Sequence, residues 1–406
     1  MPATIRRALV IGGSLGGLLA ANLLARDGWD VEVFEQADAA LAGRGAGIIS
    51  HPELFRALQI IGVTLDDSYG VDIPLRATYD RSGAMLARLE SQQIFTSWGR
   101  LYQLLKSAFA GERYHFGYSF QSLEQDAGGV TARFANGKTA RGDLLVGADG
   151  IRSSVRAQLA PEARPLYAGY VGWRGLADEK AVSPDAHREL CDKLAFCLPH
   201  REMMLCYPVA GFGNSTRPGS RCFNFVWYRP ADESGELRRL CTDGTGRCHG
   251  TTIPPPLIRP EVLAETRRAA EELLAPQIAE VVRLARQPFF QPIFDVESPH
   301  MAFARVALVG DAAFVARPHV GMGVTKGAGD ALALAACLRE TGNDVPPALE
   351  RYESRRLRLD AAVVAHGREL GAWLQGSDAE EARRHHTPEA VLAEIAVPRG
   401  YGSAVT

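Results

Sequence analysis

The 406-residue sequence has no excess of charge of one sign, because 45 Lys and Arg stand against 47 Asp and Glu, a formal net charge of −2. Without a basic surface it is not expected to bind nucleic acid or an anionic membrane. It also has no apolar run long enough to span a bilayer. Arg6 and Arg7 precede an apolar stretch as in a twin-arginine leader, but that stretch contains a glycine turn and Asn22 and passes directly into a strand. We therefore expect a cytoplasmic protein whose partner is a small molecule.

Cysteine is sparse and has no pairing pattern: there are seven, an odd number, and none forms a C-x-x-C motif. This argues against a disulfide framework and against a structural zinc site. Cys241, Cys248 and His249 lie close together, but a loop rich in glycine and threonine explains them more simply, and we expect no metal. Because the length exceeds one compact core, we expect two domains.

The N-terminal residues form the most informative pattern that is present. Residues 7–11 are apolar, 12–17 are rich in glycine, 18–26 have helical spacing, and 31–34 alternate as a strand that ends at Glu35. This is a βαβ unit. Its dinucleotide-binding form needs a tight turn, a helix N-terminus open to a pyrophosphate, and a carboxylate on the second strand for a ribose hydroxyl. Glu35 follows Gly12 by 23 residues, which is the spacing that this role requires.

One position of the glycine turn departs from the G-x-G-x-x-G pattern. Its three glycines would fall at Gly12, Ser14 and Gly17, so the middle one is a serine. Serine is small and its hydroxyl can donate to a phosphate oxygen, so we interpret it as a tolerated variant.

The remainder of the chain alternates between helical and strand patterns. His51 occupies the last loop position before a helix that begins at Pro52, after a glycine-rich stretch. The middle of the chain predicts an antiparallel sheet, in which Phe223, Phe225 and Trp227 share a face as core or as the wall of an aromatic pocket. The further elements predicted are strands over 71–96, a helix over 98–110, strands over 114–142 with a hairpin at Asn136-Gly137, strands over 195–198, 203–208 and 222–228, a helix over 261–285, a strand over 305–311, a helix over 324–340 and a helical tail.

Four separated segments together resemble the single-component FAD-dependent aromatic hydroxylases, the p-hydroxybenzoate hydroxylase group. They are the βαβ unit with Glu35, the stretch 45–48, the stretch 143–156 with its Gly-Ala-Asp-Gly sequence, and residues 310–318 with Gly-Asp-Ala-Ala and Pro318. Within the group, the stretches 47–54 and 167–175 look most like the enzymes that act on hydroxylated N-heteroaromatic rings.

The resemblance implies a mixed α/β fold. A GR2-type Rossmann-like FAD domain would comprise residues 1–70, 95–165 and 300–345, a substrate domain with an antiparallel sheet residues 71–94 and 166–299, and a helical C-terminal segment residues 346–406. The group also makes a homodimer plausible.

The resemblance further implies a non-covalent, tightly bound FAD and a transient NADH or NADPH. Only one βαβ fingerprint is present, so we expect no separate nicotinamide domain. Asp149 and Asp311 have the alternative interpretation of a helix cap or turn former. The implied FAD contacts are Gly12, Ser14, Leu15, Gly17, Glu35, Arg44, Ala46, Asp149, Asp311, Gly323 and Val324. The group's usual arginine before the helix at 101–110 is replaced by Trp98, and Arg100 is out of phase.

The implied reaction hydroxylates an aromatic ring with NAD(P)H and O₂ through a flavin C4a-hydroperoxide. A base near pH 7 should deprotonate a ring hydroxyl, and histidine suits that task. His51 is the first candidate and His319 the second. The other substrate contacts expected are Tyr207, Phe223, Phe225 and Pro318, with Cys206 a weaker candidate.

Two other classes of function remain open at this point. One is a flavin-dependent reductase or halogenase, although the W-x-W-x-I motif of halogenases is absent from the sequence. The other is a regulatory module that retains FAD without turnover.

Overall fold

The structure is a computed structural model that describes residues 6–39, 47–376 and 379–397. The predicted FAD contacts Arg44 and Ala46 lie outside these ranges. The strands are β1 (Arg7–Ile11), β2 (Asp30–Phe34), β3 (Gly47–Ser50), β4 (Val71–Tyr79), β5 (Met85–Ser97), β6 (Tyr114–His115), β7 (Phe120–Asp126), β8 (Gly129–Phe134), β9 (Thr139–Gly142), β10 (Leu144–Gly147), β11 (Leu166–Asp178), β12 (Lys193–Cys197), β13 (Met203–Val209), β14 (Cys222–Pro230), β15 (Phe289–Glu297), β16 (Ala302–Phe303), β17 (Val306–Leu308) and β18 (Phe314–Val315). The α-helices are α1 (Leu15–Arg26), α2 (Pro52–Ile61), α3 (Trp98–Ala108), α4 (Ser154–Leu159), α5 (Pro184–Leu190), α6 (Arg238–Leu240), α7 (Pro260–Leu273), α8 (Pro276–Leu284), α9 (Gly323–Glu340), α10 (Val345–Gly371), α11 (Glu380–Arg384) and α12 (Pro388–Glu394).

The first sheet is built on the predicted βαβ unit. Its six strands lie in the order β16-β17-β10-β1-β2-β6, and all neighbours pair in parallel except β16 with β17. The three central strands β1, β10 and β17 are almost wholly buried, which explains their uninterrupted apolar sequences. Helices α1, α3, α9 and α10 contribute to the core around this sheet. The carboxyl ends of β1, β2, β10 and β17 therefore meet at one edge, where ligands bind in open parallel sheets.

The second sheet has nine strands in the order β18-β15-β11-β14-β13-β12-β4-β5-β3. It is antiparallel except where β12 pairs with β4. One face packs on α5, α7 and α8, and the other face packs against residues of α10 and α12. β3 belongs to this sheet, although residues 47–50 fall within the predicted FAD domain.

Several boundaries differ from the predictions for identifiable reasons. Helix α1 begins at Leu15 rather than 18, because Gly16 and Gly17 continue into its first turn. The stretch 261–285 forms two helices, since Ala275 is extended and Pro276 starts a new helix. β6 pairs in parallel with β2, whereas β7, β8 and β9 form the expected antiparallel sheet with Gly137 at φ +80° in its hairpin turn.

The predicted mixed α/β class is confirmed. No helix within residues 6–39, 47–376 and 379–397 is both long and apolar enough to traverse a bilayer.

Candidate active site

The first candidate cavity lies at the carboxyl ends of β1, β2 and β10 and has a volume of about 360 Å³. Gly12, Ser14, Glu35 and Asp149 line it, together with Tyr118. The Glu35 carboxylate accepts hydrogen bonds from the amides of Gly13 and Ala37, both at 2.9 Å. Glu35 is thus held in place at the end of β2, where it lines the cavity, as binding of a ribose hydroxyl requires.

The glycine turn is shaped for close approach of a ligand. Gly12 has φ +101°, and a Cβ there would overlap the backbone of Ala148. A Cβ at Gly17 would overlap the carbonyl oxygen of Gly12, so helix and strand can pack this closely only with glycine. Ser14 is the N-cap residue of α1 but its side chain makes no capping hydrogen bond, and the first turn contains no acidic residue. The N-terminus of α1, beginning with Leu15, therefore retains free amides and a positive dipole end for a pyrophosphate.

Asp149 has the capping role that the sequence left open. Its carboxylate accepts hydrogen bonds from the amides of Ser154 (2.7 Å) and Val155 (3.1 Å) at the start of α4, and from the Ser153 hydroxyl. Burial raises the pKa of Asp149. The residue both caps α4 and lines the cavity.

Arg156 connects this motif to the turn at residues 310–313, which has the sequence Gly-Asp-Ala-Ala. Its guanidinium is buried and donates to the carbonyl of Ala163 at 3.0 Å and to that of Ala312 at 2.8 Å. Arg156, at the end of the stretch 143–156, therefore holds the 310–313 turn in place.

The second candidate cavity, of about 220 Å³, lies between the edge of the first sheet and one face of the second sheet. Asp311, Pro318, Gly323 and Val324 line it on the first side. α9 begins at Gly323 with no acidic residue in its first turn, so its N-terminal amides favour negative charge in the cavity. Asp311 lines this cavity, and desolvation by the surrounding protein raises the pKa of its carboxyl, while Lys326 acts in the other direction.

A buried cluster of four charges supports the Gly310–Asp311 turn from below. The Lys326 ammonium donates to the Gly310 carbonyl at 2.9 Å, and the Asp330 carboxylate accepts from the Gly310 amide at 2.8 Å. Arg356 pairs with Asp330 at 2.8 Å and with Asp360 at 2.6 Å. Burial raises the pKa of Asp360 to about 7, whereas Lys326 and Arg356 hold the pKa of Asp330 below its usual value against the effect of burial.

The second sheet supplies the apolar and aromatic side of the cavity. Tyr207 lies there with its ring 4.4 Å from Phe95 and its hydroxyl 3.5 Å from the Gly47 carbonyl oxygen. Val226 and Tyr228 of β14 line the same space.

Phe223 and Phe225 do not reach this cavity, which corrects their predicted role as its walls. Strand register pairs Tyr207 with Asn224 and Cys206 with Phe225, so alternation turns both phenylalanines to the opposite face, against α7 and α8. Cys206, the weaker candidate, lies with them in that core.

The two candidate bases occupy different places. His319 is buried and lines the cavity, where its Nε2 lies 2.7 Å from the Tyr170 hydroxyl. Its Nδ1 is buried and finds no partner in the described part of the chain. Burial lowers the pKa of His319 well below its ordinary value, so the ring is neutral at pH 7.

His51 is the N-cap residue of α2 and is not among the residues that line the cavity. Burial lowers its pKa to about 4, while a hydrogen bond to the backbone of Gly321 acts in the other direction. His51 thus contacts the loop that carries His319 rather than the cavity itself. Arg100 likewise lies elsewhere, bonded to Ser68 and Asp66.

Two features of the cavity were not predicted. Arg174 of β11 lines it, and strand alternation alone could have grouped this residue with Tyr170. Ile395 and Ala396 close another side, where the Ala396 amide donates to the His319 carbonyl at 2.7 Å. The fully buried Arg76 donates to the carbonyl oxygens of Val391 and Ile395 and holds this segment down.

The two cavities fit the two ends of FAD. A glycine turn that a Cβ would obstruct, an uncapped helix N-terminus and the fixed carboxylate of Glu35 suit adenosine and pyrophosphate. Asp311 and the N-terminus of α9 suit the ribityl chain and the flavin oxygen on which negative charge accumulates.

Comparison with known proteins agrees with this geometry. The FAD binding domain family matches residues 6–207 and 268–366, and an FAD binding domain-like family matches residues 167–295. The 2,6-dihydroxypyridine 3-monooxygenase of Paenarthrobacter nicotinovorans is 32% identical over 92% of this chain and 93% of its own length. The FAD-dependent urate hydroxylase of Klebsiella pneumoniae is 28% identical over 91% of this chain and 94% of its own length.

The solved structures give the same result. The structure of 2,6-dihydroxypyridine-3-hydroxylase from Arthrobacter nicotinovorans superposes with a TM-score of 0.86 at 32% identity, covering 93% of this chain and 96% of that one. The predicted resemblance is thus confirmed, and so is FAD as the cofactor. The chain belongs to the FAD-dependent aromatic-ring monooxygenases of the p-hydroxybenzoate hydroxylase group.

Proposed function

We propose that this enzyme uses NADH or NADPH and O₂ to hydroxylate a hydroxylated aromatic or N-heteroaromatic ring of the hydroxypyridine class. The observation that carries the proposal is the second cavity, in which Asp311 and the N-terminus of α9 share one space with Tyr207, Tyr228 and His319. A cofactor site and an aromatic pocket with an imidazole therefore adjoin. The names of the relatives, which include hydroxypyridine, urate and hydroxybenzoate hydroxylases, support the substrate class.

The proposed FAD contacts come from the first sheet and its edges. Gly12, Ser14, Leu15 and Gly17 would bind the pyrophosphate, and Glu35 the ribose. Asp311, Gly323 and Val324 would hold the flavin end, and the residues around the first sheet would form the FAD domain. When bound and reduced, FAD supplies oxygen activation and transfer of one oxygen atom to the ring.

The protein's own contribution is to exclude water, orient the ring and remove a proton from it. Tyr207, Tyr228 and Pro318 would enclose the ring. We assign the base to His319, the second candidate of the sequence analysis, since it lines the cavity and has an unpaired ring nitrogen. A neutral imidazole whose Nε2 is held by Tyr170 would accept the proton of a ring hydroxyl at Nδ1, which raises the nucleophilicity of the ring. His51 would act by positioning Gly321 behind this loop.

The test is a substrate screen on the purified yellow protein. NADH and NADPH oxidation are followed after addition of 2,6-dihydroxypyridine, other hydroxypyridines and hydroxybenzoates, and products are examined for a mass gain of one oxygen. Stimulated oxidation with that mass gain is the expected result. Oxidation without oxygen insertion for every ring would indicate a reductase, and the absence of any stimulation would contradict the proposal.

A further inference from the structure

We propose that Arg174 is the residue that selects the substrate of this enzyme, by pairing with an anionic oxygen on the ring. The inference rests on the proposed function and deepens it, because it names the charge that the substrate carries. An anionic oxygen of this kind belongs either to a ring carboxylate or to an ionised ring hydroxyl.

The register of the second sheet places Arg174 over the substrate side of the cavity. Arg174 lies opposite Val226 on β14 and Phe289 on β15. Two and four residues earlier on the same strand, Gly172 approaches the ring of Tyr228 and Tyr170 binds His319. Alternation therefore sets Arg174 on the face that holds the proposed base, and not on the face packed against α7 and α8.

The Arg174 side chain is half-buried and has no partner among residues 6–39, 47–376 and 379–397. Its Nε is buried without a hydrogen-bond partner, and no hydrogen bond or ion pair joins its guanidinium to another residue of the described ranges. The other arginines in the interior of this structure do have partners: Arg76 binds backbone carbonyls, and Arg317 pairs with Asp295 at 3.0 Å. A cation that is partly withdrawn from water normally has such a partner too, because desolvation of an unpaired charge is costly.

No carboxylate within the described residues takes this role. Asp311 lines the same cavity, but its carboxyl responds to Lys326 and Arg156 and forms no ion pair with Arg174. Arg174 acts instead on the two tyrosines: burial raises the pKa of Tyr207 and Tyr228, and the nearby guanidinium partly offsets this rise. Since both tyrosines remain protonated at neutral pH, neither neutralises Arg174.

The lining suits one substituted ring. Aromatic side chains enclose the substrate side of the cavity, whereas Asp311, Gly323 and Val324 on its other side are assigned to the flavin. The Arg174 guanidinium presents a planar fork of hydrogen-bond donors. This fork matches the two oxygens of a carboxylate, or an ionised ring hydroxyl together with an adjacent acceptor. Aromatic walls with one cation therefore predict a small, single-ring anion.

The experiment measures binding rather than turnover. Two matched pairs of probes are titrated into the FAD-loaded, oxidised enzyme without NAD(P)H, and the change in the flavin absorption spectrum is recorded. The first pair is 3-hydroxybenzoate and its neutral counterpart 3-hydroxybenzamide. The second pair is 2,6-dihydroxypyridine and 2,6-dimethoxypyridine, which cannot ionise at oxygen. We expect the acidic member of at least one pair to bind roughly 10-fold or more tightly than the neutral one, and the pair that shows this identifies the source of the anionic oxygen.

Arg174→Met should weaken binding of the acidic probe by roughly 10- to 100-fold and change the neutral probe by less than about threefold. Arg174→Lys, which keeps the charge without the fork, should restore part of the loss. Arg88→Met is the matched control, because Arg88 is exposed on the same sheet. FAD content and melting temperature establish that each variant is folded, and Arg174→Gln replaces the methionine variant if that one does not fold.

Equal binding of acidic and neutral probes by the unmodified enzyme overturns the inference, as does an Arg174→Met variant with undiminished selectivity. If neutral rings bind and are hydroxylated while acidic ones do not bind, the inference fails and the proposed function stands. If no ring of either pair perturbs the flavin, and none stimulates NAD(P)H oxidation, the proposed function fails as well.

Discussion

Ser14 is a helix N-cap residue whose hydroxyl makes no capping hydrogen bond. Serine, asparagine and aspartate at this position usually accept a hydrogen bond from the helix. Here Ser14 lines the first cavity instead, beside the proposed pyrophosphate. The position is thus adapted to a ligand more than to the helix.

Replacement of Ser14 separates these two roles. Ser14→Asp should preserve or raise the stability of the FAD-free protein, because aspartate caps helices well, but it should weaken FAD binding at least 10-fold through repulsion of the phosphates. Ser14→Gly, which restores the common pattern, should bind FAD normally. The measurements are fluorescence titration with FAD and thermal melting of the FAD-free protein. Normal FAD binding by Ser14→Asp would show that the pyrophosphate lies elsewhere.

The two histidines can be separated in the same way. His319→Ala should lower the rate of coupled hydroxylation by about 100-fold, in the range of general-base catalysis, with FAD still bound. His51→Ala should cost less, since His51 does not line the cavity and bonds to the backbone of Gly321. The fraction of NAD(P)H oxidation that yields hydroxylated product is measured for both. A larger loss in His51→Ala would return the base to our first candidate.

At this scale the sequence predicted more about the cofactor than about the substrate. Gly12, Ser14 and Glu35 are consecutive parts of one local unit, so their spacing was sufficient to place them together. Phe223 and Phe225 were correctly grouped on one face of a strand, but a period of two residues does not tell which face meets the cavity. That depends on pairing across β11, β13 and β14, which joins residues between 13 and 60 positions apart.

At the scale of elements, helices α9 and α10 are joined by the buried charges of Lys326, Asp330, Arg356 and Asp360. These charges fix both the amide and the carbonyl of Gly310, next to Asp311. The element pair therefore controls the geometry of the cofactor turn.

Breaking this cluster should destabilise the fold and loosen FAD together. We expect Asp330→Asn to lower the free energy of unfolding by about 3 to 5 kcal/mol, because Arg356 and Lys326 lose a buried counter-charge. The control is Glu340→Gln, which removes an exposed pair with Arg355 between the same two helices and should leave the melting temperature nearly unchanged. Urea unfolding and FAD retention are measured for both. Equal effects of the two substitutions would refute a special role for the cluster.

The elements themselves were largely predictable, whereas their partners were not. β1, α2 and the strands β12, β13 and β14 follow from apolar runs, proline and alternation in their own sequences. The contribution of Ile395 and Ala396, which follow α12, to the cavity could not be predicted, because Arg76 and Ile395 are brought together only by the fold.

At the scale of the whole molecule, the buried His51 and His319 and the partly buried His386 make stability depend on pH. Burial lowers the pKa of His51 and of His386 to about 4 and that of His319 well below its ordinary value. Below pH 6.5 the unfolded chain binds protons at these residues that the folded chain does not. Stability from these groups is therefore present above pH 6.5 and is lost as the pH falls towards 4, by roughly 1 to 2 kcal/mol at pH 5 for His51 and for His386.

His386→Gln tests the histidine effect separately from that of the carboxyls. Buried carboxyls with raised pKa values, such as Asp360, make the folded state more stable as the pH falls, which is the opposite dependence. The difference in the free energy of unfolding between pH 7.5 and 5.5, measured by urea titration, should be smaller in His386→Gln than in the unmodified protein. An unchanged pH dependence would mean that His386 is protonated in the folded state.

At the same scale, the two cavities are lined by different parts of the chain. All the residues found to line the first cavity precede residue 160, whereas Ile395 and Ala396 close one side of the second cavity. A polypeptide that ends before Pro388 would retain the residues that line the first cavity but would lack Ile395 and Ala396 at the second cavity. On the proposed function, such a fragment should oxidise NAD(P)H and release hydrogen peroxide in place of hydroxylated product.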